Sequence, residues 1–269
     1  MKKFLTFSLA ALFFCLCAVP AFATEETLAP VYVTISDEIG DLVLSYEAIG
    51  LGDFDGDGVL TVNDALIGAH RQKYESGENG YSFLKTENGL SVSKLWGAET
   101  GAYGYYINNA PVQSLTSPIQ AGTHIQAFVY TDTENFSDTF AYFDQTVITV
   151  TPNDTVTLTL FTVELDMNGK KITKPAENAD ILIGGEKIGV QTDKNGKASF
   201  IVENISDIII SASHDGITLV PPVCAVHVDT SAMLLAITVL AILAIIVIAV
   251  LTVIYLKNLQ RTRSVEHNI

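Results

Sequence analysis

The chain has 269 residues, with 15 Lys and Arg against 30 Asp and Glu, a formal net charge of −15 and three cysteines. A body this acidic has no basic patch to neutralise phosphates, which excludes nucleic acid and anionic lipid surfaces as partners and makes cations the natural small ones. Once two apolar ends are set aside, the remainder has room for two modest domains.

Residues 1–23 read as a secretory signal peptide: Lys2 and Lys3, then "FLTFSLAALFFCLCAV", then the small-residue exit "AFA", with cleavage before Thr24. Phe14 and Leu16 stand before Cys15 and Cys17, which does not suit lipidation. Both cysteines leave with the signal, so the mature chain keeps only Cys224 and has no internal disulfide. Its stability must come from a core or from bound metal. Removing Lys2, Lys3, Lys257, Arg261, Arg263 and Glu266 leaves 10 basic against 29 acidic residues.

"PVYVTISD", a turn near Gly40 and "LVLSYEAI" form a predicted β-hairpin. The stretch "DFDGDGVLTVNDAL" follows. Calcium needs six to eight oxygens, and a twelve-residue loop supplies them from alternate positions around a glycine turn. Asp53, Asp55 and Asp57 fill the first, third and fifth positions, Gly58 the sixth, Val59 offers a carbonyl at the seventh, Thr61 holds the ninth and Asp64 the twelfth. The loop at 53–64 is therefore a predicted Ca2+ site, serving to staple a strand to a helix. That helix starts near Thr61 or Val62 and runs about four turns, since Val62, Leu66 and Ala69 recur at helical spacing.

Four runs dense in Tyr, Phe and Val come next: "GLSVSKLWG", "GAYGYYINNAPV", "THIQAFVYTD" and "DTFAYFD". Hairpin, helix and then strands is the order of a β-grasp domain, placed at 28–148. Strand alternation puts Tyr105 and Tyr106 on opposite faces, so one of them must meet solvent, a neighbouring module or a ligand. Trp96, Tyr103, Tyr105, Tyr106 and Asn108 are the candidate ligand-binding residues. His70 and His124 are read as satisfied packing groups rather than metal ligands.

The second module, at 149–229, is strand throughout: "TVTLTLFTVEL", "ADILIGGEKIG", "TDKNGKASFIVEN" and "DIIISASHDG", with Gly-Gly and Asn-Gly turns. It reads as an Ig-like or transthyretin-like sandwich. The boundary is drawn at "TPNDT". Met233–Leu256 is uncharged and longer than the about 20 residues a bilayer crossing takes. Lys257, Arg261 and Arg263 after it place the tail, 257–269, in the cytoplasm and the ectodomain outside, a single-pass type I arrangement. The sequons at Asn135, Asn153 and Asn204 matter only outside a bacterial setting.

The Asp at the twelfth loop position, the incoming strand and the onward "T-x-x-D-A" resemble the calcium loop of dockerin repeats. Only one such loop is present, so cohesin binding is not implied. "VQTDKNGKASFIV" resembles the repeat phrase of carboxypeptidase-regulatory-like and bacterial Ig-like modules. Trp96 before a Gly-rich turn, Gly104–Asn108 and "AGTHIQAFVY" resemble the bacterial β-grasp family related to the carboxyl-terminal domain of transcobalamin, although Thr123 stands where that family has Asp. This resemblance implies a ligand-binding surface and a corrinoid as ligand. Elbow, HExxH and P-loop motifs are missing, and Cys224 in "PPVCAVHV" reads as a strand residue. The expectation is an α+β, bacterial, membrane-anchored cell-surface binding protein, not an enzyme, with a small-molecule ligand. An adhesive protein that binds a protein or glycan is the alternative.

Overall fold

The computed structural model describes residues 29–266 except 88, 166–169 and 204, so the expected signal peptide, the sequon at Asn204 and residues 267–269 lie outside the described residues. What it shows is a mostly β chain with one helix set among the strands and a long apolar helix at the end.

The first sheet takes β1 (Val31–Ser36), β2 (Leu42–Ile49), β5 (Tyr103–Ile107), β6 (Ala110–Pro111) and β7 (His124–Val129) in the order β2-β1-β7-β5-β6. The central β1–β7 pair is parallel and the others are antiparallel. Helix α1 (Val62–Lys73) packs on the β1–β2 side of this sheet. Its apolar residues Val62, Leu66 and Ala69 share one core with Val31, Val33 and Ile35 of β1 and with Ile125, Ala127 and Val129 of β7. The helix stops at Lys73, short of four turns, because Tyr74 turns to an extended conformation. A small hairpin of β3 (Ser82–Thr86) and β4 (Gly89–Lys94) lies between helix and β5.

Period-two alternation sends His124, Gln126 and Phe128 of β7 to the opposite face, yet that face is buried too. At Phe128 it is covered by the second module, while His124 lies edge-on to Tyr46 of β2. Tyr106 stacks on Phe140 with ring centroids 3.6 Å apart, and Phe128, Phe140, Val163 and Val220 close a joint apolar cluster. Lys171 adds a polar clamp, donating from Nζ to the Asn109 carbonyl at 2.8 Å while lying over the Tyr142 ring. Of the pair expected on opposite faces, Tyr105 enters the core and Tyr106 meets the neighbouring module.

The second module is a pair of sheets. One has β11 (Lys171–Pro175), β10 (Asp154–Leu165), β8 (Thr139–Phe143) and β16 (Leu219–Val220), with β14 (Lys197–Val202) also on β10. The other has the order β13 (Glu186–Gln191), β12 (Asp180–Ile183), β15 (Ile208–Ser213), β17 (Cys224–Val228), β9 (Val147–Val150). Leu158, Leu160, Ile181, Phe200, Ile210 and Cys224 fill the space between them. The free cysteine is a core residue, and burial pushes its thiol up to about 12.

The division at 148/149 does not follow the strand pairing. β8 bonds to β10 and β16, and β9 bonds in parallel to β17, so both strands belong to the second module. "TPNDT" is a tight turn inside that module, held by Asp154, whose carboxylate accepts the Thr151 N–H at 2.8 Å. The modules part instead at the 131–138 loop, where Asp132 and Asp138 accept a set of local hydrogen bonds.

Gly104 marks the closest approach on the interface side of the first sheet. A Cβ built there would lie 2.1 Å from Phe128 Cζ, and Phe128 is held by Tyr130 and Tyr106. Gly104→Ala should therefore lower the urea midpoint, by about 1–3 kcal/mol of stability, as overpacked sites do. An unchanged midpoint would show that the Phe128 ring can give way.

Helix α2 runs over Ser231–Glu266, and its segment Ser231–Leu256 has a mean hydropathy of 3.4 with none of it buried against the protein. It is long and apolar enough to cross a membrane.

Candidate metal centre

Leaving β2, the chain must turn sharply to enter α1, and the acidic loop makes that turn. Gly56 and Gly58 have φ of +79° and +85°, a region L side chains rarely adopt, and nothing crowds the space where a Cβ would stand. Glycine is needed here for its backbone, not for room. Phe54 folds back over the helix, its ring against Gly68 and under the Arg71 guanidinium at 4.7 Å. The loop is thereby pinned at its first turn.

Asp53, Asp55 and Asp57 are exposed, and one carboxylate oxygen from each lies within 4.8 Å of the others. Backbone groups bond to all three, Asp55 accepting the Asp57 N–H at 3.3 Å. Asp53 accepts from Gly56 N–H at 2.8 Å and Gly58 N–H at 2.9 Å, one on each oxygen, and Asp57 accepts from Val59 N–H at 2.8 Å. Asp55 is held from behind: Asn63 Nδ2 donates to its Oδ2 at 2.7 Å, and the Tyr81 hydroxyl donates to Asn63 Oδ1 at 2.8 Å. Tyr81 and Asn63 are buried, and desolvation first, then the charges of Tyr105, Asp64 and Asp55, pushes the Tyr81 hydroxyl well above its ordinary value. A carboxylate oxygen has more than one lone pair, so these bonds leave acceptor capacity for a cation. The acidic triad could hold a metal ion, and its all-oxygen donor set suits a hard one.

Asp64 is placed differently. Its carboxylate is buried and turned into the loop, accepting from Phe54 N–H at 2.7 Å, Asp55 N–H at 3.3 Å, Thr61 N–H at 2.9 Å and Thr61 Oγ1 at 3.0 Å. Thr61 is the N-cap of α1 and Asp64 its N3 residue, so the pair forms a capping box. The loop's six predicted ligands thus divide. Three carboxylates converge, Val59 stands exposed beside them, and Thr61 and Asp64 are engaged with each other. Asn63 and Tyr81, which orient Asp55, were not singled out by spacing. Only the polar residue just before the twelfth position hinted at them.

The five candidate ligand residues are not gathered into one surface. Trp96 packs on His70 and Tyr74, with centroids 5.1 Å from each. Tyr103 donates its hydroxyl to the carbonyls of Ser93 and Ala98, Tyr105 is in the core, Tyr106 is in the interface, and Asn108 Oδ1 accepts the His124 N–H at 2.9 Å. Neither histidine stands near the triad as a ligand. His70 is fully buried, its Nδ1 donating to the Leu66 carbonyl at 2.7 Å while Nε2 accepts the Trp96 N–H at 3.1 Å. His124 bonds through Nε2 to Thr34 Oγ1 at 2.9 Å, and its Nδ1 has no partner among the described residues. Desolvation pulls both imidazoles down to about 4.

No protein-family model matches this chain, and no curated protein sequence does either.

Proposed function

We propose that this is a membrane-anchored cell-surface binding protein, with a calcium-stabilised β-grasp module outermost and an Ig-like sandwich as its stalk. The observation that carries the anchor is the apolar helix following directly on an acidic two-module body, with none of its surface buried by that body. The basic residues after it favour a cytoplasmic tail. The β-grasp reading draws on the order β2-β1-β7-β5-β6 with a parallel central pair and one helix across it. The calcium reading draws on the converging triad, to which the Val59 carbonyl and water add oxygens; a bound ion would neutralise like charges and lock the turn into α1. The ligand is a small molecule, with the corrinoid implied by resemblance as first candidate. Since the aromatic residues that carry the resemblance are spent on packing, the binding surface is to be sought elsewhere.

Thermal melts of the full chain in calcium and in EDTA test the metal. Calcium at a hundred times Kd adds about 2.7 kcal/mol, which should raise Tm by about 5–10 °C, and Asp53→Ala should remove the rise. Superimposable melts would leave the loop a plain acidic turn. For the anchor, protease added to intact cells should cleave an epitope inserted in the 132–138 loop and spare one at the carboxyl end; the reverse pattern sinks the orientation. Cobalamin titration with no spectral shift removes the corrinoid.

A further inference from the structure

We propose that the cleft between the two modules binds an organic cation with an apolar body. This rests on the reading of the chain as a small-molecule binder and is independent of the calcium site. The cleft, about 1080 Å³, is walled on one side by the β1–β2 turn with Ile39, Asp41 and Leu42, and on the other by Leu182, Ser211 and Ser213 of β12 and β15. Ile210 and Ala212 of β15 point into the sandwich core, so alternation turns Ser211 and Ser213 outward, toward the first module. Ligand sites favour such junctions between domains and have this order of size.

Three carboxylates, Asp41, Asp207 and Asp215, lie on the wall, and neither Lys nor Arg does. Lys187 reaches Asp215 from outside at 3.3 Å but makes its shorter contact, 2.6 Å, with Asp180. His214 has both ring nitrogens engaged, with the Glu177 carbonyl and the Gly216 N–H. Asp207 is engaged on both oxygens, by His227 Nδ1 at 2.8 Å and by the Val228 N–H at 2.9 Å, so the negative charge left to the cleft sits on Asp41 and on the loosely paired Asp215, and an anion entering it meets repulsion. The mouth is also apolar: Ile39 is 73% and Ile217 43% exposed, large side chains left to water at the edge of the cleft. The Ser213 hydroxyl is buried with no partner among the described residues, and a hydroxyl can rotate to accept an N–H. Negative charge, apolar rim and an unspent acceptor together select a protonated amine carried on a hydrophobic group.

Calorimetric titration of the full chain in lipid nanodiscs, corrected with empty nanodiscs, can use tryptamine, tryptophol and indole-3-acetate: one ring system bearing positive, no and negative charge. Tryptamine should bind at least about tenfold tighter than tryptophol, and indole-3-acetate should not saturate. Asp41 is exposed and engages Asp37 through its backbone, so Asp41→Lys should weaken tryptamine about tenfold without moving the melt. Ser213→Ala should weaken it similarly while Tm holds or rises, because an unpaired buried hydroxyl is removed. Equal affinity for tryptamine and tryptophol overturns the cation preference. Tryptamine binding that ignores both substitutions overturns the cleft while the binding reading survives. Binding of none of the three overturns the cleft as a site, leaving the cobalamin titration to judge the broader reading on its own.

Discussion

Between pH 7 and pH 5 the folded two-module body should lose about 4 kcal/mol of stability, an effect carried by two buried histidines. His70 and His124 are held at about 4 in the fold by desolvation, against an ordinary value of 6.5. Above 6.5 both are neutral whether the chain is folded or unfolded, and the folded state keeps its full advantage. As pH falls from 6.5 toward 4 the unfolded chain takes up protons that the folded chain refuses, so stability drains away through that window. Below about 4 both states are protonated and these two groups cause no further loss. Urea denaturation followed by Trp96, which packs against His70, reads the effect directly. His124→Gln, which cannot titrate, should roughly halve the slope. A midpoint that is flat from pH 7 to pH 5 would mean that the imidazoles find water or protons the buried sites do not show.

Asp64→Asn should destabilise the chain by about 3 kcal/mol, and should do so in EDTA as well as in calcium. Its carboxylate accepts four hydrogen bonds from the loop and the helix start, and hydrogen bonds to a charged acceptor are worth about 1.5–3 kcal/mol each. The amide replaces one acceptor with a donor, which then faces either the Phe54 and Asp55 N–H groups or the N–H and hydroxyl of Thr61. Asp53→Ala, by contrast, removes an exposed member of the triad and should matter mainly when calcium is present. A loss from Asp64→Asn that appears only with calcium would return Asp64 to the ligand role that its twelfth position suggests.

What could be read in advance follows how local each signal is. The first hairpin, the start of α1 at Thr61 and Val62 and the Gly184–Gly185 and Asn195–Gly196 turns depend on neighbours a few residues apart, and spacing reveals them. The loop glycines belong to the same class, since a positive φ is a property of one residue. Strand pairing across the chain does not. β8 carries aromatic residues like those of β5 and β7, and nothing in "DTFAYFD" says that its partners are β10 and β16. A proline in "TPNDT" looks like a boundary when it only marks a corner. Tyr106 illustrates the same gap: alternation says it must leave the core of the first module, but only the fold supplies Phe140 as its cover. The triad was legible because its residues share one short loop, whereas the capping duty of Asp64 depends on how the loop closes over the helix.

β17 ends at Val228 and α2 begins at Ser231, so two residues, at most about 7 Å of extended chain, join the sandwich to the apolar helix. Even those are tied: Asp229 donates its N–H to the Val150 carbonyl and accepts the Ser231 N–H on its carboxylate. A leash of that length gives no reach. Were the apolar helix to enter a bilayer, so short a join would keep the sandwich close against the lipid and tie its height to the end of the helix.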